Sequence, residues 1–269
     1  MNTKVNNSFF DRALVQIRVI KALMTRELLT EFGRKNIGFL WIFLEPIIFI
    51  SLIMFLRNYV LGSARGAQAV EHHIPLTGFL LTGYVLFMLI RRGLTFVASS
   101  ATSNRGIMFH ANVKTINLFL SRFFLEVLAL SFVTIFLSLF FIYFDTLSFP
   151  SSYLLTVLGW GSICWFFLGF SLIYAYVGHQ YPFINRYRLL VLFILLSTSA
   201  VFYMISWLPQ EQQNIILYNP LAHSMELLRE GFFGEHVDAI YSPTYMISIN
   251  SFLTLFGLIL SRKFKRQLS

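Results

Sequence analysis

Apolar and polar positions along this chain fall into long blocks. Six apolar blocks cover residues 37–56, 76–97, 118–144, 153–177, 189–207 and 241–260. Each approaches the roughly 20 residues with which a helix crosses ~30 Å of hydrocarbon, so the pattern predicts six transmembrane helices. The second block is the least regular, because Arg91 and Arg92 interrupt it. From Leu76 to Ile90 a helix extends ~22 Å. The two arginines are therefore expected near the far interface, with their heads snorkelling toward water.

The polar blocks predict three further elements. Residues 11–35 have helical composition up to Phe32, but their polar face changes side halfway: Arg18, Lys21 and Thr25 lie on one stripe, Arg26, Glu27, Thr30 and Glu31 on another. That pattern suits a helix at the membrane surface, either a plain interfacial anchor or one wedged between lipid and protein. The stretch 99–114 is polar at its ends and apolar at Ile107, Met108 and Phe109, which suits a short helix across the membrane plane with a docking surface. Residues 208–240 hold an amphipathic segment too short and too polar to span. Asn219 is its expected N-cap, Pro220 its first residue, and Gly231 and Gly234 its end. Its polar side carries His223, Glu226 and Arg229, and a re-entrant or lid helix is expected there.

Composition agrees with a polytopic membrane protein: 57% of the 269 residues are apolar, 12% are charged, and mean hydropathy is +0.68. Residues 1–36 lack the short apolar core and cleavage site of a secretory signal. The formal net charge of +9 would suggest nucleic acid in a soluble protein, but placement gives it another meaning. All but three of the 21 Lys and Arg fall on one side of a six-span arrangement, the exceptions being Arg57, Arg65 and Arg229. The positive-inside rule then puts both termini in the cytoplasm. No nucleic-acid partner is expected.

Soluble-type chemistry is missing from the pattern. There is no G-x-x-x-x-G-K-[ST] phosphate loop, no H-E-x-x-H, and no histidine array that would hold a metal. The single cysteine, Cys164, cannot form a disulfide framework within one chain. The expectation is no catalytic residue, no metal and no cofactor in this chain.

One motif combination carries a family likeness. The basic lead-in LMTRELLTEFGRKNIGFLW (23–41) runs into Leu44-Glu45-Pro46 inside the first span, and NPLAHSMELLREGFF (219–233) precedes the last. With six spans between and around them, these features resemble the membrane subunits of ABC-2 type polysaccharide exporters, most of all the capsular polysaccharide export permeases of Gram-negative bacteria. The related O-antigen and teichoic-acid exporters share the G-x-L-W lead-in. The fold class expected is an all-α integral membrane protein of six spans, with an N-terminal interface helix, a cytoplasmic coupling helix and short external re-entrant helices.

The resemblance implies a multi-pass subunit of the bacterial inner membrane that pairs with a second copy of itself. Its other implied partners are two copies of a separate ABC-type ATPase, which holds ATP and magnesium, a periplasmic export partner and an outer-membrane polysaccharide pore. The implied cargo is a lipid-linked capsular polysaccharide, the alternative being O-antigen, teichoic acid or another lipid-linked substrate. Residues Arg105, Gly106, Ile107, Met108, Phe109, His110 and Val113 would match the ATPase-coupling helix. The interface helix at the cytoplasmic entrance would include Arg18, Arg26, Arg34 and Lys35, which suit a phosphate or acidic sugar, or simply anionic headgroups. Asn219, Pro220, His223, Glu226 and Arg229 would match the external gate.

Trp41, Tyr84, Trp160, Trp165, Tyr174 and Tyr203 combine a ring with a polar handle. They fit a sugar path and equally a lipid-interface belt. Glu45 lies ~12 Å into the first span, where an acid costs ~2.5–3.5 kcal/mol. Pro46 removes an amide donor beside it. Both point to a face turned toward protein or water. Arg91 or Arg92 is the expected partner, in a pair that either serves the substrate path or shapes the bundle. A polytopic membrane enzyme would need clustered acids or a His-Asp pair, and the sequence offers no convincing set.

Overall fold

The computed structural model describes residues 9–32, 37–61, 74–104 and 114–268. Among them there are helices and no strands, as the apolar blocks predict. The elements are α1 (Phe9–Phe32), α2 (Ile37–Phe55, continued by a π turn over Leu56–Leu61), α3 (Leu76–Ala98), α4 (Thr115–Tyr143), α5 (Tyr153–Gln180), α6 (Arg188–Thr198), α7 (Gln210–Ile216), α8 (Pro220–Phe233) and α9 (Pro243–Leu268).

Four of these are long and apolar enough to cross a membrane among the described residues: α3, α4, α5 and α9. The expectation of six full-length spans is corrected at two places. The first expected span yields an apolar helix over Leu40–Phe55, and the fifth yields only Arg188–Thr198. The fifth block, expected to run to Trp207, breaks at Ser199 because the chain turns at Ala200, which takes φ 56°. An alanine rarely adopts that left-handed conformation, and hydropathy has no means of seeing it.

The core is built around α3. Leu86, Phe87, Met88, Leu89 and Ile90 are all buried, so this helix is enclosed on every side. It packs against α4 and α5, with α2 and α8 closing the remaining sides. Its middle is a π-helical segment, Leu81–Val85, where the Thr82 hydroxyl donates to the Gly78 and Phe79 carbonyls. A hydroxyl that enters the ladder is a recognised cause of local helix distortion. By contrast α4 leaves Leu128, Phe132, Ile135, Phe136 and Leu139 largely exposed, an apolar face touched at Phe132 and Phe136 by the Phe43 ring of α2.

The two ends of the bundle differ. At one end α1 lies along the start of α4. At the other, α8 runs beside the first turns of α5. Ser224 meets Ser162 at 2.8 Å between hydroxyl oxygens, and Asn250 of α9 donates to the same Ser162. Small residues and hydroxyls are the usual means by which helices approach closely where lipid offers no hydrophobic drive. Gly231 does not end α8, as the sequence suggested; it lies inside the helix, which stops at Phe233 before Gly234. The reason is proximity. A Cβ on Gly231 would stand 2.3 Å from the Thr156 amide nitrogen and 2.7 Å from the Leu155 carbonyl carbon. Gly231→Val is therefore expected to push α8 off α5 at about 1–3 kcal/mol. Thermal unfolding in detergent should show a lowered midpoint, while a midpoint equal to the wild type would contradict this packing.

Candidate functional site

Two adjacent arginines of α3 organise the interior. Arg91 forms an ion pair with Glu45 of α2, and Arg92 Nε lies 3.1 Å from Glu126 Oε1 of α4. One helical turn thus ties α3 to two different neighbours through opposite charges. The snorkelling expected of these arginines is corrected: they stand inside a 23-residue helix, and each reaches sideways to an acid. Glu126 was not foreseen, because within a long apolar block a lone acid has no sequence signal for its partner. The Glu126 carboxylate is almost wholly buried, whereas Glu45 and Arg91 keep 20% and 37% of their side-chain surface accessible. The Glu45 pair is thus the half-open one.

Aromatic rings stack beside it. Phe49 and Tyr84 lie 3.8 Å apart at their centroids, and Phe202 is 6.4 Å from Tyr84. Tyr84 sits in the π-helical segment, within electrostatic reach of both Glu45 and Arg91. π segments in helices are frequent at functional positions. The other aromatics expected on a path are distributed differently. Trp160 Nε1 donates to Ser131, Trp165 Nε1 to Thr254, and the Tyr203 hydroxyl to the Ser197 carbonyl. Tyr174 is buried near Ile184. Trp41 is half exposed on α2, on the side that also shows Leu40, Leu44, Ile48 and Leu52.

The second polar cluster lies at the α8 end. The Asn219 side chain accepts from the Leu221 amide, so it caps α8 as the sequence predicted. The stripe of His223, Glu226 and Arg229 does not face water as a lid would; all three are buried. Arg229 is fully enclosed and its guanidinium donates to the carbonyls of Ala200 (2.6 Å), Tyr203 (2.7 Å) and Val201 (2.7 Å). These carbonyls lose their helical donors where the chain breaks after α6, and one planar fork supplies replacements. The guanidinium also lies 4.0 Å from the Phe79 ring centroid. Burial pushes its pKa down to about 10, so it stays charged at neutral pH. Gly83 permits the arrangement, since a Cβ there would meet the Val201 carbonyl oxygen at 2.2 Å.

Glu226 performs the complementary task. Its two oxygens accept from the amides of Ile205 and Ile240, each at 3.1 Å. Burial raises its pKa, while Arg229 and the two amides act in the opposite direction. His223 Nδ1 accepts from the Ser242 amide at 3.0 Å, and its Nε2 lies 2.8 Å from the Leu217 carbonyl. An amide can only donate and a carbonyl only accept, so the ring is the neutral Nε2–H tautomer. The three side chains clamp the segment after α6 and the lead-in to α9 onto one short helix.

A third cluster joins α1 to the bundle. Glu27 pairs with Arg122 of α4 at 3.1 Å and accepts from Asn104 at 2.9 Å; Arg26 donates to Asn104 at 2.8 Å. Arg122 also donates to Phe96 O and Ser99 Oγ, at 2.8 and 2.9 Å. Glu27, Asn104 and Arg122 were not singled out in the sequence, where Glu27 was one of several charges on a helix with a shifting polar face. Arg26 was, and it lies at the edge of the cluster, whereas Arg18 is exposed. Arg34, Lys35 and the expected coupling residues Arg105, Gly106, Ile107, Met108, Phe109, His110 and Val113 lie outside the described residues. No group of His, Cys, Asp and Glu suited to a metal occurs among the described residues.

Paired charges inside a helical bundle, apolar outer faces and a short helix clamped by buried ions define a multi-pass, all-α integral membrane protein. No family model matches the chain. Its sequence is nevertheless similar over nearly its whole length to known transport proteins. It is 29% identical over 259 residues to the capsule polysaccharide export inner-membrane protein CtrC of Neisseria meningitidis, with 96% of each chain covered. Identity is 27% over 259 residues to the corresponding BexB of Haemophilus influenzae, again with 96% of each covered. The polysialic acid transport protein KpsM of Escherichia coli is 26% identical over 248 residues, covering 92% of this chain and 94% of that one. The resemblance read from the two motifs therefore extends across the chain, which over nearly all its length is similar to capsule polysaccharide export inner-membrane proteins. By their names these relatives export capsule polysaccharide or transport polysialic acid.

Two outcomes test the clamp. Arg229→Met would strand three carbonyls, at about 1–3 kcal/mol for each group left unsatisfied. It should abolish the monodisperse folded peak in detergent, and Arg229→Lys should recover only part of it, because an ammonium lacks the planar fork. For His223, burial lowers the folded-state pKa below the ordinary 6.5. A lowered folded pKa means that the unfolded chain binds more protons, so the stabilisation is present above pH 6.5 and is lost as pH falls through the folded value. The thermal midpoint should fall on acidification from pH 7.5 to 5.5. In His223→Gln, which donates and accepts without titrating, that part of the slope should vanish.

Proposed function

We propose that this chain is the membrane-spanning permease subunit of an ATP-driven exporter that moves lipid-linked capsular polysaccharide across the bacterial inner membrane. One observation carries the reading: similarity over 96% of the chain to capsule polysaccharide export inner-membrane proteins. In this reading the chain crosses the bilayer six times. α2 with its π extension supplies the first crossing and α3, α4, α5 and α9 supply four more. α6 is a half-span completed by the irregular segment that Arg229 holds. The basic excess puts both termini in the cytoplasm. Residues 99–114 would dock on the ATPase, whose two copies bind ATP and magnesium.

A long hydrated glycan cannot enter hydrocarbon and needs a path between protein surfaces. A second copy of this chain would supply the other wall. The exposed stripes Leu40, Leu44, Ile48 and Leu52 on α2, and Leu189, Leu190, Phe193 and Ile194 on α6, are apolar faces it would cover. The half-open Glu45–Arg91 pair and the Phe49–Tyr84–Phe202 rings would then line the path or brace its wall, with the carboxylate and guanidinium offering hydrogen bonds to sugar hydroxyls. A periplasmic partner and an outer-membrane pore would carry the glycan onward. The named relatives include one for polysialic acid, so the fold by itself does not fix the sugar.

Complementation of a capsule-deficient strain tests the reading. The wild-type chain should copurify with an ABC-type ATPase and restore surface polysaccharide. Glu45→Gln should reach normal membrane levels and lower surface polysaccharide several-fold, while the exchange Glu45→Arg with Arg91→Glu restores much of it. Full export by Glu45→Gln would remove the pair from the mechanism, and failure of the wild-type chain to associate with any ATPase would overturn the reading as a whole.

A further inference from the structure

A cavity lies within this chain, lined by residues other than the Glu45–Arg91 pair. It encloses about 200 Å³ between the ends of α3 and α5 and the turn into α6. Its polar lining is Thr95 and Ser99 from α3, Tyr174 and His179 from α5, and Asn185 and Arg188 from the turn. No carboxylate is among the lining residues. The nearby described acids already have cations of their own: Glu27 is paired with Arg122, and Glu126 with Arg92. Arg188 makes no ion pair with a carboxylate among the described residues. The cavity is therefore a half-enclosed space that holds a cation, hydroxyls, an imidazole and an amide, with no negative charge in its walls.

That lining is selective by chemistry. A cationic ligand would meet Arg188 unshielded. An apolar ligand would strip water from a guanidinium and several hydroxyls without replacing their hydrogen bonds, which is costly. A tetrahedral oxyanion gains a charge-assisted, fork-shaped contact from the guanidinium and a further bond from the Asn185 amide. The volume accommodates a phosphate group and the first atoms attached to it. Ser99 links the cavity wall to Arg122: its hydroxyl accepts from Arg122 at 2.9 Å and donates to the Phe96 carbonyl at 3.2 Å. Through Arg122 the cavity is joined to Glu27 and α1.

We propose that this cavity is a phosphate-binding site, with Arg188 as its principal cation and the second amide proton of Asn185, whose first goes to the Gly178 carbonyl, as a hydrogen-bonding wall. A phosphate there would come either from an anionic lipid headgroup or from a soluble phosphate, and both present the same oxygens. Occupancy would be sensed at the Ser99–Arg122–Glu27 chain, which fixes α1 against α3 and α4.

Purified wild-type protein in a zwitterionic detergent provides the test. Its thermal midpoint is measured against inorganic phosphate, against phosphatidylglycerol, and against chloride and phosphatidylcholine as controls. Phosphate, phosphatidylglycerol or both should raise the midpoint where the controls do not. A response to phosphatidylglycerol alone identifies a headgroup site, and one to inorganic phosphate a soluble-anion site. Arg188→Gln should weaken the response at least about tenfold, the equivalent of roughly 1.4 kcal/mol. Arg188→Lys should keep part of it, and Arg186→Gln, which does not line the cavity, all of it. Should Arg188→Gln not fold, a Thr95→Cys protein gives an independent reading: bound phosphate or phosphatidylglycerol should slow its labelling by a small anionic thiol reagent. A response unchanged by Arg188→Gln, one matched by the controls, or labelling at Thr95→Cys that neither ligand slows would overturn the proposal.

Discussion

Everything in this structure follows from the cost of leaving a polar group unanswered where water cannot reach it. In hydrocarbon each unsatisfied backbone group costs several kcal/mol, so a chain that breaks a helix there must supply replacement partners from its own side chains. The chain breaks after Thr198, and Arg229 supplies three of those partners at once. That one guanidinium determines why α8 is buried on its polar side, why Gly83 carries no side chain, and why the connection to α9 passes where Glu226 and His223 can take its amides. A short helix that looks amphipathic turns small and apolar residues to α5 and ionic ones to the connection, so that both sides are buried.

The same rule governs the charges inside the bundle. A lone arginine at membrane depth is expensive, yet two consecutive ones become an organising centre when each has an acid on a different helix. Arg91 and Arg92 point to α2 and α4, because consecutive helical residues diverge by about 100°. The pairs are unequal in exposure. The Arg92–Glu126 pair is enclosed and suits a permanent bolt between α3 and α4. The Glu45–Arg91 pair is half open, beside a kink-prone Glu-Pro step and a π segment, so it is the one whose exchange of partners would cost least. Any functional movement that involves the first span is better accommodated there than at the buried bolt.

Long apolar runs made the class, the approximate spans, the N-cap at Asn219 and the unusual status of Glu45 legible in the sequence, because each rests on local composition or on a single costly residue. What was illegible depended on non-local geometry. The fifth block reads as continuous up to Trp207, and nothing in Ser197-Thr198-Ser199-Ala200 announces that its carbonyls will be taken by an arginine nearly 30 positions later. Arg91 and Arg92 read as a membrane boundary because hydropathy counts charge without knowing whether a counter-charge faces it. Glu126 and Arg122 sit in one apolar block and serve two different clusters, which only the packing of α1, α3 and α4 distinguishes. The polar stripe of α8 is legible as a stripe, but what it faces is not, since a helix wheel does not reveal what lies opposite.

The arrangement also explains how the two ends of the subunit can be mechanically linked without a soluble domain between them. At one end, Glu27 and Arg122 join α1 to the start of α4 and the end of α3. At the other, Arg229 and Glu226 join α8 to the segment after α6 and to the lead-in of α9. α3 is common to both, because Phe96 and Ser99 take part in the first cluster and Phe79 and Gly83 in the second. A helix buried on all sides transmits a rigid displacement better than it absorbs one, since close-packed interiors yield little. Force applied to α1 or to the end of α3 would thus reach α8 through a single stiff element. The π segment within α3, which carries Gly83 of the second cluster and Tyr84, is the place along that element where the backbone register already departs from regular helix. If the element yields anywhere, the least additional distortion is required there, close to the half-open ion pair.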